Sequence, residues 1–223
     1  GHPTVGTAYI LQQEGMIPEV GVVNFEENVG VIPVELTVNH GQVFAFMTQP
    51  APRFGEVRTK RADYAELLAL DVADLHPDYP IQGVSSGVPF MYIPIRSLDA
   101  IRRIKLRLDI WERLLKDDAY PHVIVFTPET EMPESTVHTR MFAPMMGIAE
   151  DPATGAASGP LGAYLVKYGL GAPRNSGQII SEQGFEINRP SLIHISVTQE
   201  NGDIRVMVGG TSVTIGGGYI LVE

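Results

Sequence analysis

Two segments of the chain read as helices that are apolar on almost every side. The first, expected over residues 3–14, begins within GHPTVGTAYIL, residues 1–11, and the second, expected over residues 154–168, begins within EDPATGAASGPLGAYL, residues 150–165. A helix without a polar face demands other elements wrapped around it, so these segments constrain the fold more than any other feature. Their openings align without a gap. His2-Pro3-Thr4-Val5-Gly6-Thr7-Ala8 lies over Asp151-Pro152-Ala153-Thr154-Gly155-Ala156-Ala157, with Pro, Gly and Ala in common. Each opening leads into a helix containing a tyrosine, Tyr9 or Tyr164, and each helix stops at a glycine, Gly15 or Gly169. Strand-rich sequence follows both, so the pattern points to an internal duplication.

The sequence between and beyond the two helices predicts mostly strands. Strands are expected at 20–25, 29–38, 42–50, 81–87, 88–95, 122–128, 136–144, 178–183, 192–199, 203–210 and 212–223, from alternation or short apolar runs. Short helices are expected at 63–70, 97–104 and 108–117, and PAPRFG, residues 50–55, is expected to be a loop. This order gives an α+β class with antiparallel sheets. Pro160 falls inside the second apolar helix, where it removes a hydrogen bond and is expected to bend it.

Composition bounds the function. With 223 residues, 44% of them apolar, the chain can bury one large core or two small ones. A formal charge of −10 argues against nucleic-acid binding, which needs a basic face. The one basic cluster, Arg96 with Arg102, Arg103, Lys105, Arg107 and Arg113, is expected to be a solvated surface. No apolar run reaches the roughly 20 residues needed to cross a bilayer, so no membrane is expected. The absence of Cys excludes thiolate metal sites and cysteine nucleophiles, and the composition points to the cytoplasm. The six histidines show no metal-ligand spacing; His138 and His194 sit in strands and are expected to be structural or surface groups.

A buried helix leaves its first N–H groups without partners inside the helix. With the positive end of the dipole, those groups suit an anion or a developing oxyanion. His2 and Asp151 stand at the two openings, an acid–base pair suited to proton abstraction beside a carboxylate. The bland alternative makes Asp151 an ordinary N-cap. GVSSG, residues 83–87, fits G-x-S-x-G around Ser85, but a strand follows where a nucleophile elbow needs a helix. That turn is kept only as a loop that could line a cleft.

GHPTVGTAYIL, VGVIPVEL, FMTQPAP, SSGVPF, RMFAP and EDPATGAASGPLGAYL together resemble the phenazine-biosynthesis PhzF-like family of the diaminopimelate-epimerase-like superfamily. The resemblance implies two pseudo-symmetric domains, each an antiparallel β-barrel-like wrap around a central helix. The expected division is 1–80 and 81–223, with the last strand able to return to the first domain. It implies a cofactor-independent isomerase that moves a proton on a small carboxylate-bearing substrate, as in isomerisation of trans-2,3-dihydro-3-hydroxyanthranilate. No cofactor and no metal are expected, and homodimers are common in such a family. Carried over, His2 and Asp151 are the catalytic candidates, and Gly1, Pro3, Thr4, Ser86, Gly87, Thr154, Gly155 and Ala156 are the candidate substrate-binding residues. The amides of Gly155 and Ala156 lie where the substrate carboxylate would be held; the best-known members have Ser at the position of Ala156. The resemblance also implies an N-terminal segment, carrying a glutamate as main proton carrier, before the position of Gly1. The expectation is therefore an incomplete first domain, a missing N-terminal partner segment, and a chain that alone lacks the main proton carrier and exposes the apolar face of its first helix. The alternative is a non-catalytic scaffold that binds a small carboxylate or a protein.

Overall fold

The structure is a computed structural model and describes residues 1–28, 30–39, 41–170, 178–200 and 203–221. In chain order the elements run α1 (His2–Gln13), β1 (Gly21–Glu27), β2 (Gly30–Asn39), β3 (Gln42–Thr48), β4 (Arg53–Arg58), α2 (Arg61–Leu67), β5 (Ile81–Ser85), β6 (Pro89–Pro94), α3 (Leu98–Arg103) and α4 (Leu108–Leu114). There follow β7 (His122–Thr127), β8 (Val137–Ala143), β9 (Ile148–Asp151), α5 (Gly155–Lys167), β10 (Gln178–Gln183), β11 (Ser191–Glu200) and β12 (Asp203–Thr211). The class is mixed α+β.

The chain divides into two compact units, one of Gly1–Thr48 with Gly209–Glu223 and one of Gln49–Val208. The division expected after residue 80 falls inside the second unit. The cause is packing: β4 pairs antiparallel with β5, and Tyr64, Ala65 and Leu67 of α2 share one core with Ile81 and Met91.

In the first unit β1, β2 and β3 form an antiparallel meander. Ala8 of α1 packs against Ile32, Val34, Leu36, Ala45 and Met47. The cover that the apolar sequence of α1 asks for is incomplete, as expected of this chain alone: only Thr4 and Ala8 are buried, and Ile10 is 44% exposed. Its core partners, strand residues of β2 and β3, cover one side of a helix, not all of it. The strand expected at 212–223 is also absent from the described residues 212–221. Gly216, Gly217 and Gly218 in its middle offer no side chain to pack.

In the second unit the strands lie in the order β12-β11-β10-β8-β7-β6-β5-β4, with β9 paired to β8. β6 and β7 are parallel, as are β8 and β10, which corrects the expectation of purely antiparallel pairing. Parallel neighbours need a long crossover. The chain supplies one through α3 and α4, and another through β9 and α5.

Alternate residues of the sheet serve two cores. Phe90, Tyr92, Ile124, Phe126, Val137 and Met141 pack on the side of α5, with Leu161, Tyr164 and Leu165. Met91, Ile93, Val123, Val125 and Phe142 pack on the other side, with Leu67, Ile101 and Trp111 of α2, α3 and α4. Burial of both faces is why these strands read as near-continuous apolar runs. Residues 157–165 of α5 are all buried, as its sequence demands. Its small residues permit close approach: a Cβ on Gly162 would lie 2.6 Å from Ile195 Cγ2 and 2.9 Å from Val197 Cγ2. Pro160 sits inside α5, which runs through it as one element.

Candidate functional site

Asp151 ends β9 opposite Met141 of β8, and half-exposed residues 151–153 lead from it into α5. Asp151 is not the N-cap of that helix. Thr154 is, and no side chain caps the helix amides. The Asp151 carboxylate instead accepts a 2.5 Å hydrogen bond at Oδ2 from the Thr154 hydroxyl. This leaves the first amides of α5, those of Gly155 and Ala156, half-buried beside a held carboxylate. The positive end of a 13-residue helix adds to that donor pair. An acid able to take or give a proton thus stands next to donors suited to a carboxylate or oxyanion.

Gln183, at the end of β10 and 1% exposed, staples this loop. Its Nε2 donates to the Asp151 carbonyl at 2.6 Å and to the Thr154 hydroxyl oxygen at 2.9 Å. Its Oε1 accepts from the Thr154 amide at 3.2 Å. One side chain therefore fixes both ends of the Asp151–Thr154 turn and, through the hydroxyl, the carboxylate itself. At the helix start, Gln49 Nε2 donates to the Gly155 carbonyl at 2.8 Å. The sequence reading missed Gln183. The available signal was its phase: Ile179, Ser181 and Gln183 alternate on one face of β10, so Gln183 is a polar residue at a core position.

The other candidates belong to other elements. Gly1, His2 and Pro3 are exposed at the start of α1 in the first unit, where Gly1 is the N-cap. The Thr4 hydroxyl donates to Glu27 of β1 at 2.5 Å, which occupies it within that unit. Ser86 and Gly87 form the turn between β5 and β6. Gly87 has φ +121° and its amide donates to the Ser85 hydroxyl at 3.2 Å, while the buried Ser86 hydroxyl has no partner among the described residues. A strand follows this turn, so no nucleophile elbow forms around Ser85.

The basic cluster is surface, and four of its members are ion-paired: Arg103 with Asp74 and Asp99, Arg107 with Asp109, Arg113 with Glu66, and Arg102 with Glu131. Among the described residues no group of three or more His, Cys, Asp or Glu side chains is placed to hold a metal ion. No described helix is long and apolar enough to cross a membrane.

Other proteins are similar to this chain in sequence and in fold. The chain is 32% identical over 214 residues to an uncharacterized isomerase of Bacillus subtilis, covering 96% of this chain and 72% of that protein. It is 33% identical over 225 residues to the trans-2,3-dihydro-3-hydroxyanthranilate isomerase of Pseudomonas fluorescens, covering all of this chain and 74% of that protein. A crystal structure of a Bacillus anthracis phenazine biosynthesis protein of the PhzF family superposes with a TM-score of 0.83 at 30% identity, over 95% of this chain and 72% of that one. A predicted epimerase from Pseudomonas aeruginosa superposes with a TM-score of 0.72 at 26% identity, over 96% of this chain and 74% of that one. The expectation of a missing N-terminal segment gains no support from the family match, which starts at residue 1. That match, to the model of phenazine biosynthesis-like proteins, runs through residues 1–218 and places this chain in that family.

Proposed function

We propose that the chain is a cofactor-independent isomerase that moves a proton on a small carboxylate-bearing substrate, with the Asp151 loop as the core of its site. The observation that carries this reading is the held Asp151 carboxylate beside the uncapped amides of α5. The relatives named as isomerases support the reaction class. In this reading the amides of Gly155 and Ala156 bind the substrate carboxylate or its developing negative charge. Asp151, oriented by Thr154 and Gln183, exchanges a proton with substrate or stabilises the charge that appears when a C–H proton leaves. His2, at the uncapped start of α1, is the second candidate acid–base group. Pro3 lies in the first turn of α1 and Pro152 before the N-cap of α5, so the two starts, one in each unit, match in lacking a side-chain cap and not in where the helix begins.

Deuterium wash-in tests the proposal. The protein is incubated in D₂O with trans-2,3-dihydro-3-hydroxyanthranilate, named for the Pseudomonas fluorescens relative, and with a panel of small cyclic amino acids and hydroxy acids. Solvent deuterium enters a substrate carbon of the compound that is turned over, and Asp151→Ala slows entry at least about 100-fold. The assay is run on the 223-residue chain and on a form extended before Gly1. Label only in the extended form assigns the main proton carrier to the extension. Label entering at an unchanged rate in Asp151→Ala rejects the site.

A further inference from the structure

The sheet that presents the Asp151 loop on one face carries a buried chain of charges on the other. β8 and β10 pair with His138 beside Glu182 and Thr139 beside Gln183. Successive strand residues point to opposite faces, so His138, Arg140 and Glu182 lie behind Thr139, Met141 and Gln183. His138 Nδ1 is 2.7 Å from Glu182 Oε1, and its Nε2 is 2.9 Å from Glu186 Oε1. The His138 and Glu182 side chains are wholly buried and that of Glu186 is nearly so. Further along, Arg140 forms a two-pronged pair with Glu150 at 2.9 and 2.8 Å, the residue before Asp151. Arg140 also donates to the carbonyls of Ile101 and Ile104.

A neutral imidazole has one N–H, so it can donate to only one carboxylate. With both carboxylates ionised, as the lowered Glu186 pKa favours, the two short contacts need the doubly protonated ring. Burial alone opposes that charge, but the hydrogen bonds to Glu186 and Glu182 outweigh it and raise the His138 pKa. The two carboxylates are not equally secured. Glu182 also accepts from the amides of Glu131 and Met132, at 2.6 and 3.1 Å. Glu186 Oε2 is buried without a hydrogen bond, and Arg140 Nε approaches it only to 4.0 Å. The remaining charges near the group are Glu150 on β9 and the Arg102–Glu131 pair between α3 and the 131–132 loop. Loss of the His138 charge therefore releases Glu186 first.

Glu186 lies in a 3-10 turn, Phe185–Ile187, that follows Gln183 and Gly184 directly. The Phe185 ring also lies tilted against that of His138, at 5.5 Å between ring centres. Gly184, with φ +83°, is pressed against the loop: a Cβ there would lie 2.8 Å from the Pro152 carbonyl oxygen. A shift of the turn must pass through Gly184 to Pro152 and Gln183.

We propose that the buried Glu182–His138–Glu186 chain is a positioning device for the Asp151 loop, in which the doubly protonated His138 clamps the 185–187 turn and so fixes Gln183 and the loop it staples. The functional meaning rests on the Asp151 loop being the site; the coupling itself does not. It is tested without substrate, by NMR titration of the wild-type chain from about pH 5 to about pH 10. The His138 ring, the Gln183 side-chain amide and the Thr154 backbone amide are followed. All three share one midpoint, above the ordinary histidine value of about 6.5. Hydrogen exchange of the Thr154 amide, corrected for its intrinsic pH dependence, accelerates through the same midpoint. Glu186→Gln lowers the three midpoints together, by about 1 pH unit. The proposal is overturned if His138 stays neutral throughout, or if Gln183 and Thr154 are unmoved as it titrates. A Gln183 and Thr154 midpoint that does not follow His138 in Glu186→Gln also overturns it. Should that variant not fold, the wild-type exchange measurement decides. A negative result rejects the coupling and leaves the isomerase reading to the deuterium assay.

Discussion

Thr154 has two tasks: its hydroxyl holds the Asp151 carboxylate while accepting from Gln183 Nε2, and its amide is held by Gln183 Oε1. Thr154→Val removes the first task and keeps the shape. We expect turnover to fall about 10-fold, with kcat and kcat/KM reduced alike, since only orientation of the acid is lost. Gln183→Leu acts differently. It leaves the Thr154 amide and the Asp151 carbonyl without their partner, and a buried unpaired polar group costs about 1–3 kcal/mol. Urea denaturation should show that loss, whereas Thr154→Val should shift the midpoint far less. Of the candidate site, Asp151, Thr154, Gly155 and Ala156 could be proposed from the sequence because the loop is contiguous. Gln183 was not, because strand alternation fixes which face a residue takes and not which distant loop lies over that face.

At the level of the helix, glycine divides α1 from α5. In α5, Gly162→Ala gains about 1 kcal/mol of helix propensity but drives a methyl into Ile195 and Val197. Overpacking a tight core costs about 1–3 kcal/mol, so the net effect is destabilising. In α1, a Cβ on Gly6 meets nothing within 4 Å. Gly6→Ala should therefore stabilise, by about 0.5–1 kcal/mol. Opposite signs in thermal or urea unfolding check both claims; equal signs would refute the packing described for α5. Elements with strong periodicity were legible: the strands near 30–39, 42–48, 122–127 and 137–143 and the helix at 155–167 fall where expected. The 50–55 segment did not, since β4 starts at Arg53 despite the prolines. Its Gly55 reads as loop punctuation, but it makes room for the Tyr120 ring, 2.7 Å from where a Cβ would stand. An exposed apolar face on α1 was expected of this chain alone; an apolar sequence reports a need for cover, and only tertiary structure says how much is met.

For the molecule as a whole, stability should depend on pH through the buried charge chain. The His138 pKa is raised by its carboxylate partners against the cost of burial, so its contribution is complete below the ordinary histidine value and is lost as pH rises through the higher folded value. Burial works to raise the Glu186 pKa, but the His138 hydrogen bond and charge prevail and lower it. That contribution is present above the ordinary carboxylate value and lost as pH falls through the depressed one. Stability is then greatest between the two, and the urea midpoint should decline on the alkaline side; His138→Gln should flatten that decline. The central claim concerns chemistry, and deuterium entry measures it most directly. In D₂O the protein should place one solvent deuterium on a substrate carbon per turnover, and Asp151→Ala, folded by circular dichroism, should retain at most about 1% of that rate. Label entering as fast without the Asp151 carboxylate would contradict the account.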